Sequence, residues 1–289
     1  MQSGVKEGMK TIEFRPFSIV VHGQLIEYMR PAVMGILNVT ADSFYDGGRH
    51  ADPGSMLAHA RWLLAEGADI IDVGVVSSRP GATLLPPDEE ARRLAGAVRL
   101  LREELPDAVL SVDTCYSLPA RTAVEAGADL VNDIGGGQLD ELMFQTVCEL
   151  QVPYILMHGG GEMHGTAPRS TADIVDRLTQ FFSEQIDRLY TLGIKDLWID
   201  PGFGFAKSVA QNHELLRRLD ELTTLFREPL VTALSRKSMI YKPLDITPDE
   251  ALTGTIVLDA LALERGARIV RVHDPRPAVE TIKLMLSNH

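Results

Sequence analysis

One unit recurs eight times along the chain, and this recurrence constrains the fold more than any other feature. Each unit is a short apolar run without alternation, a polar residue at its end, and then a segment of helical period. The runs are Val33 to Leu37, Ile70 to Val75, Val109 to Val112, Leu130 and Val131, Tyr154 to Met157, Leu197 to Ile199, Leu230 to Leu234, and Ile269 to Val272. Runs of this kind suit strands buried on both faces, as in a parallel sheet wrapped by helices. The expected helices are 54–66, 88–104, 118–126, 139–150, 171–192, 212–226, 248–265 and 277–286. Glycines 67, 127, 193 and 266 stand where a helix C-cap is wanted, and Asp52, Asp88 and Asn212 where an N-terminal cap or first-turn acid is wanted.

Strict alternation over 289 residues favours an α/β fold of the (β/α)8 TIM-barrel kind, for which ~250 residues is typical. An open doubly wound sheet is the competing arrangement. Ahead of the first unit, Ser18 to Val21 and Gln24 to Tyr28 flank a His22-Gly23 turn and form an N-terminal β-hairpin, placed to plug one end of a barrel. Residues 1–15 are expected to be a flexible segment and 16–289 a single domain.

A formal net charge of −12 argues against nucleic acid and anionic membrane as partners, because both need a positive field over the contact surface. A small anionic ligand needs only a local group of cations. No apolar run is long enough to span a bilayer and the first residues lack the apolar segment of a signal peptide, so the expected location is cytoplasmic. Cys115 and Cys148 have no paired or metal-binding spacing and are expected as plain buried or half-buried thiols.

In a barrel, the loops leaving the carboxyl ends of the strands share one face, and that face carries the chemistry. Here the strands end in Asn38; Asp72 with Gly74; Asp113; Asn132 and Asp133; His158; Asp200; Ser235, Arg236 and Lys237; and Arg271 and His273. Any one of these could serve only to satisfy backbone groups. Together, carboxylates and amides from the middle strands face cations from the last two. That set suits a ligand with a hydrogen-bonding heterocycle at one end and anionic groups at the other. In DPGFGFAK, Pro201 and the glycines allow a tight turn, with Asp200 at the floor, Phe205 exposed for stacking and Lys207 near the rim. SSRPGA (77–82) and SRKS (235–238) offer cations for an anion. The GGG runs at 135–137 and 159–161 lack a nucleotide-binding context and are expected as flexible loops.

MGILNVTADSF, SSRPGA, SVDT, NDI, LMH, DPGFGF, SRKS and RVHD, in this order from about Ala32 to the last helix, resemble the dihydropteroate synthase family of pterin-binding enzymes. The resemblance implies condensation of 6-hydroxymethyl-7,8-dihydropterin diphosphate with 4-aminobenzoate, with Mg2+ and release of diphosphate. It also implies a homodimer and competition by sulfonamides. Carried over by position, Asp113, Asn132, Asp200, Lys237 and Met157 match the pterin pocket. Asn38, Arg271 and His273 match the diphosphate end, Asn38 also as the metal contact. Phe44, Ser78, Arg79, Pro80, Phe205 and Ser238 match the aminobenzoate site. Asp113, Asp200, Lys237, Arg271 and His273 would carry catalysis. The chain departs from the family pattern at Ala41, at Val75 to Ser78, at Gly159 and at Ala206, where glycine is usual. Those departures keep open a divergent pterin-binding paralogue, and the barrel also admits a methyltetrahydrofolate-type methyltransferase, which has no need of the SRKS and RVHD cations.

Overall fold

The computed structural model of the chain describes residues 14–39, 53–75, 85–159, 161 and 173–287. Phe44, Ser78, Arg79 and Pro80 of the expected site lie outside the described residues, as do Ala41, Asp52 and most of the segment 1–15.

Strands β1 (Phe17–Val21) and β2 (Gln24–Tyr28) pair antiparallel from Phe17↔Tyr28 to Val21↔Gln24. His22 and Gly23 both take positive φ, 49° and 75°, the twist of a two-residue turn that matches the strands it joins. Alternation then points Phe17, Ile19 and Val21 to one side. They pack on Ala32, Ile70, Val109, Leu130, Ile155, Trp198, Val231 and Ile269, each the first or second residue of one of the other strands. The hairpin therefore plugs the amino-terminal end of those strands.

The eight strands are β3 (Ala32–Asn38), β4 (Ile70–Gly74), β5 (Val109–Asp113), β6 (Leu130–Asp133), β7 (Tyr154–Met157), β8 (Leu197–Asp200), β9 (Val231–Thr232) and β10 (Ile269–Val272). They form one sheet in the order β8-β7-β6-β5-β4-β3-β10-β9, every pair parallel. A parallel bridge between Ile199 and Leu230 joins the two outer strands. The sheet is closed, which decides for the barrel over the open sheet. Helices alternate with the strands and cover the outside, where Ile71, Val73, Leu110, Val112, Val131, Leu156 and Ile199 meet the helix residues Leu63, Leu94, Leu101, Val147, Leu178 and Leu189.

Local chemistry moves several helix ends. The long helix starts at Ile174 because the Asp173 carboxylate accepts from the Val175 and Asp176 amides, and it ends at Gly193, φ 97°. The expected helix 212–226 is instead Val209–Arg217 followed by Leu219–Leu225, capped by Ser208 and Gln211 acting reciprocally. Asn212 is thus no cap but a wholly buried residue inside the first of these helices. The helix expected from Pro248 begins at Leu252, after a short 3-10 turn Pro248–Glu250. The run Gly135 to Gly137 is a packed turn, contrary to expectation: a Cβ on Gly136 would lie 2.2 Å from the Met157 carbonyl oxygen, and one on Gly137 2.2 Å from the Phe144 ring.

Candidate active site

The period-two alternation of the strands sorts the polar strand ends into two sets. Ile70, Val109, Leu130, Ile155 and Trp198 face the barrel interior with the hairpin, while their neighbours Ile71, Leu110, Val131, Leu156 and Ile199 face the helices. Counting by twos puts Asn38, Asp72, Ser111, Asp113, Asn132, Met157, Asp200, Ser235, Arg271 and His273 inside. The same count puts Asp133 and His158 outside. The contacts agree. Asp133 accepts from the Gly135 and Gly137 amides, both at 2.7 Å, and from the Tyr154 hydroxyl. His158 packs edge-on against Phe181, ring centroids 5.1 Å apart, and its imidazole is pushed down to about 2 by burial and by the nearby Lys207 and Arg177.

Arg271 crosses the interior. Its Nε donates to Asp72 Oδ2 and its Nη2 to Asp113 Oδ2, both at 2.6 Å. Asn132 Nδ2 donates to the same Asp72 oxygen at 3.0 Å. Burial pushes the Asp113 carboxyl up to about 7, against the pull of Arg271 and with the push of Asp72, Glu90 and Asp133. For Arg271 the charges of Asp72 and Asp113 outweigh burial and hold it protonated. Beside this group, burial raises Asp200 against the pull of Lys237 and the Gly202 amide, which donates to Asp200 Oδ1 at 2.7 Å. Burial of the ammonium end lowers Lys237 to about 8, with Asp200 opposing. Asp113, Asp200 and Lys237 thus have proton affinities displaced toward neutrality, as expected of charges collected in a dry cleft.

Above them opens a cavity of about 580 Å³ lined, among others, by Asn38, Asn132, Met157, Asp200, Phe205, Ser235, Lys237, Ser238, Arg271 and His273. The expected site residues that the structure describes therefore gather at one place. Asp113 is the exception, since it lies behind Arg271 and does not line the cavity. Arg271, expected at the diphosphate end, is turned onto the buried carboxylates. His273 pairs with Ser235, Nδ1 to Oγ 2.9 Å, near the exposed Asn38. Of the two cations in SRKS, Arg236 is committed to Asp274, Nη2 to Oδ2 2.9 Å. Ser238 opens a helix of only seven residues, so any pull on an anion there comes from side chains and single amides.

The loop after β8 also differs from expectation. Phe205 is buried, not exposed, and Lys237 Nζ lies 4.8 Å from its ring centroid. Lys207 is likewise buried, not a rim cation. Two residues outside the expected site support it: Asp72, which holds both Arg271 and Asn132, and Glu90, which accepts from the Thr114 hydroxyl just past Asp113. Asp72 was legible as a strand end, though not its direction. Glu90 sits on a helix and gave no signal. Among the described residues no group of three or more His, Cys, Asp or Glu could hold a metal ion.

Barrel and site together define a pterin-binding enzyme, and the family described as "Pterin binding enzyme" matches residues 34–273. The chain belongs to the dihydropteroate synthase family. It is 38% identical over 267 residues to the dihydropteroate synthase of Streptococcus pyogenes serotype M3, covering 91% of this chain and 97% of that one. A structure of Xanthomonas albilineans dihydropteroate synthase with 4-aminobenzoic acid is 38% identical, superposes with a TM-score of 0.84, and covers 94% of this chain and 97% of that one. A Yersinia pestis dihydropteroate synthase structure with a sulfonamide drug is 36% identical, TM-score 0.83, covering 94% and 98%.

Proposed function

We propose that the chain condenses 6-hydroxymethyl-7,8-dihydropterin diphosphate with 4-aminobenzoate to give 7,8-dihydropteroate and diphosphate. The observation that carries this reading is a cavity whose buried end presents Asn132, Asp200 and Lys237 and whose other side presents Asn38, Ser235 and His273. A pterin offers a ring N–H beside an exocyclic amino group, and one carboxylate such as Asp200 accepts both in a two-pronged pair. A ring lacking those donors leaves the carboxylate buried and unpaired, which is strong discrimination. Lys237 faces the carbonyl side of the ring, and Met157 packs on its face. Asp113 acts through Arg271, which it orients together with Asp72.

Substitution at the pterin methylene then needs two things. The leaving diphosphate must be neutralised, a task for His273, Asn38 and Arg271, the last after release from its carboxylates. The electron-rich ring must tolerate developing positive charge, which buried acceptors favour. A neutral aromatic amine is already nucleophilic, so no strong base is required of the site. Magnesium prefers oxygen donors and keeps much of its shell as water and substrate phosphate. The exposed amide of Asn38 on the cavity wall fits that limited demand, and magnesium arriving with the diphosphate would supply further charge neutralisation there. Phe205 and Ser238 form the aminobenzoate wall, joined by Phe44, Ser78, Arg79 and Pro80 as the resemblance implies. Sulfonamides compete at that wall.

On the helix Leu252–Glu264, Ile256, Leu258 and Leu261 are only partly buried and Val257 is 53% exposed. That surface supports a homodimer. Cys115 and Cys148 are both free and buried, which accords with a cytoplasmic setting.

The test is formation of dihydropteroate and release of diphosphate from the two authentic substrates, with and without magnesium. Magnesium-dependent coupling is expected. Pterin binding by calorimetry with no coupling at any magnesium concentration would refute the assignment.

A further inference from the structure

Lys207 lies in the DPGFGFAK stretch but touches neither the pterin end nor the diphosphate end of the cavity. Its ammonium is buried and donates to three backbone carbonyl oxygens: Gly202 at 2.9 Å, Phe205 at 3.2 Å and His158 at 3.3 Å. The first two belong to the loop after β8, and the third to the residue after β7. One buried charge thus ties two neighbouring strand-end loops together. Charged donors to carbonyls are among the stronger hydrogen bonds, and a buried carbonyl left without one is costly.

The same loop is held from its other side by Asn212. The Gly204 amide donates to Asn212 Oδ1 at 2.7 Å, and Asn212 Nδ2 donates to the Lys207 and Ser208 carbonyls at 3.2 and 2.8 Å. Between these two supports stand Gly204 and Phe205, the parts of the loop that line the cavity, with Lys237 Nζ over the Phe205 ring and on the buried Phe203 carbonyl. Asn132, by contrast, is fixed by its strand and by Asp72, and Asp200 by its strand with only the Gly202 amide reaching it from the loop.

We propose that Lys207 is a positioning residue for the aminobenzoate half of the site, its ammonium setting the height of the Phe205 ring by stapling the loop after β8 to the end of β7. This rests on the synthase reading for the identity of the ligand, and on the loop geometry alone for the staple. Gly159 belongs to the same device. It stands at φ 110°, and a Cβ there would lie 3.0 Å from the Phe205 carbonyl oxygen and 3.1 Å from Lys207 Nζ. The staple closes tightly because that position carries no side chain.

The test uses the full chain and Lys207→Met, which keeps the length of the stem and loses the charge. Binding of the pterin alone, and of 4-aminobenzoate in the presence of pterin and diphosphate, is followed by calorimetry, and KM and kcat by coupling. The expected result is an aminobenzoate KM and Kd raised about tenfold with pterin Kd changed less than about threefold, a split of roughly one factor of ten in one subsite only. Equal losses for both ligands, or a lowered melting temperature with aminobenzoate binding unchanged, would overturn the proposal. Gly159→Ala carries the same test if Lys207→Met does not fold. It leaves every charge in place and is expected to weaken aminobenzoate selectively, and an unchanged aminobenzoate Kd in that variant would overturn the proposal as well. Failure of the synthase reading shows differently, as wild-type protein that does not couple the substrates, and the calorimetric comparison still decides the role of Lys207.

Discussion

Replacing Arg271 by methionine tests the electrostatic reading of the barrel interior. The substitution keeps an unbranched apolar stem and removes the guanidinium that bridges Asp72 and Asp113. Breaking a buried ion pair by deleting one partner costs about 3–5 kcal/mol, because the other charge stays behind uncompensated. The cost should depend on pH in a direction that the geometry fixes. Burial already holds Asp113 near 7 with Arg271 present, and removing the foremost of the charges that lower it must raise it further. Below pH 7 the folded carboxyl is protonated in both proteins, and the missing cation matters least. Above pH 7 the wild-type carboxylate ionises beside Arg271, whereas the variant must hold its proton or carry an unpaired charge. Linkage gives about 1.4 kcal/mol per pH unit for one proton, so the variant should lose about 2 kcal/mol more at pH 8.5 than at pH 6. Urea denaturation at the two pH values, with Arg271→Lys as a control that keeps the charge but not the fork, measures the difference. A destabilisation independent of pH, or greater in acid, would refute the account.

Glu90 tests the same physics with no cation paired to it among the described residues: burial raises it to about 7 while the Thr114 hydroxyl bond pulls the other way. Folded protein keeps this proton while unfolded chain loses it above about pH 4.5, so the stability is present in acid and falls away as pH rises through 7. Glu90→Gln should therefore be nearly neutral at pH 4.5 and stabilising by up to about 3 kcal/mol at pH 8 in urea denaturation, and no gain on raising the pH would count against it. Ala206 holds a left-handed backbone, φ 50°, which costs a residue with a Cβ about 1–2 kcal/mol. Ala206→Gly should raise the melting temperature by about 2 °C after the entropy of glycine in the unfolded chain is subtracted, and a fall would show that the alanine methyl packs usefully.

The barrel was legible because its signal is repeated. Unalternating runs such as Ile70 to Val73 separated by helical segments admit few folds, and the His22-Gly23 turn needs no tertiary information. The gathering of Asn38, Asn132, Asp200 and His273 followed from the rule that strand ends share a face, together with the family motifs. Three things were hidden. Side-chain parity settles that His158 points away from the site, and it depends on where each strand begins to the single residue. The inward turn of Arg271 depends on Asp72 and Asp113, 199 and 158 positions distant in the chain. The burial of Lys207 depends on carbonyls, and a sequence does not display its backbone acceptors. Asn212 misled for a related reason: asparagine suits a helix cap, but Ser208 had already taken that position.

The barrel closes unevenly. Strands β3 and β4 match at five registered positions, while β9 has two residues and meets β8 through a single bridge, supported by the Ile199 amide on the Pro229 carbonyl at 3.0 Å. Asp200 stands at the end of one side of this seam and Lys237 follows the other. A ligand gripped by both is therefore also a clasp across the weakest join of the cylinder. At one hundred times its dissociation constant it adds about 2.7 kcal/mol to the folded state, and that added resistance to opening falls where the closed sheet is thinnest.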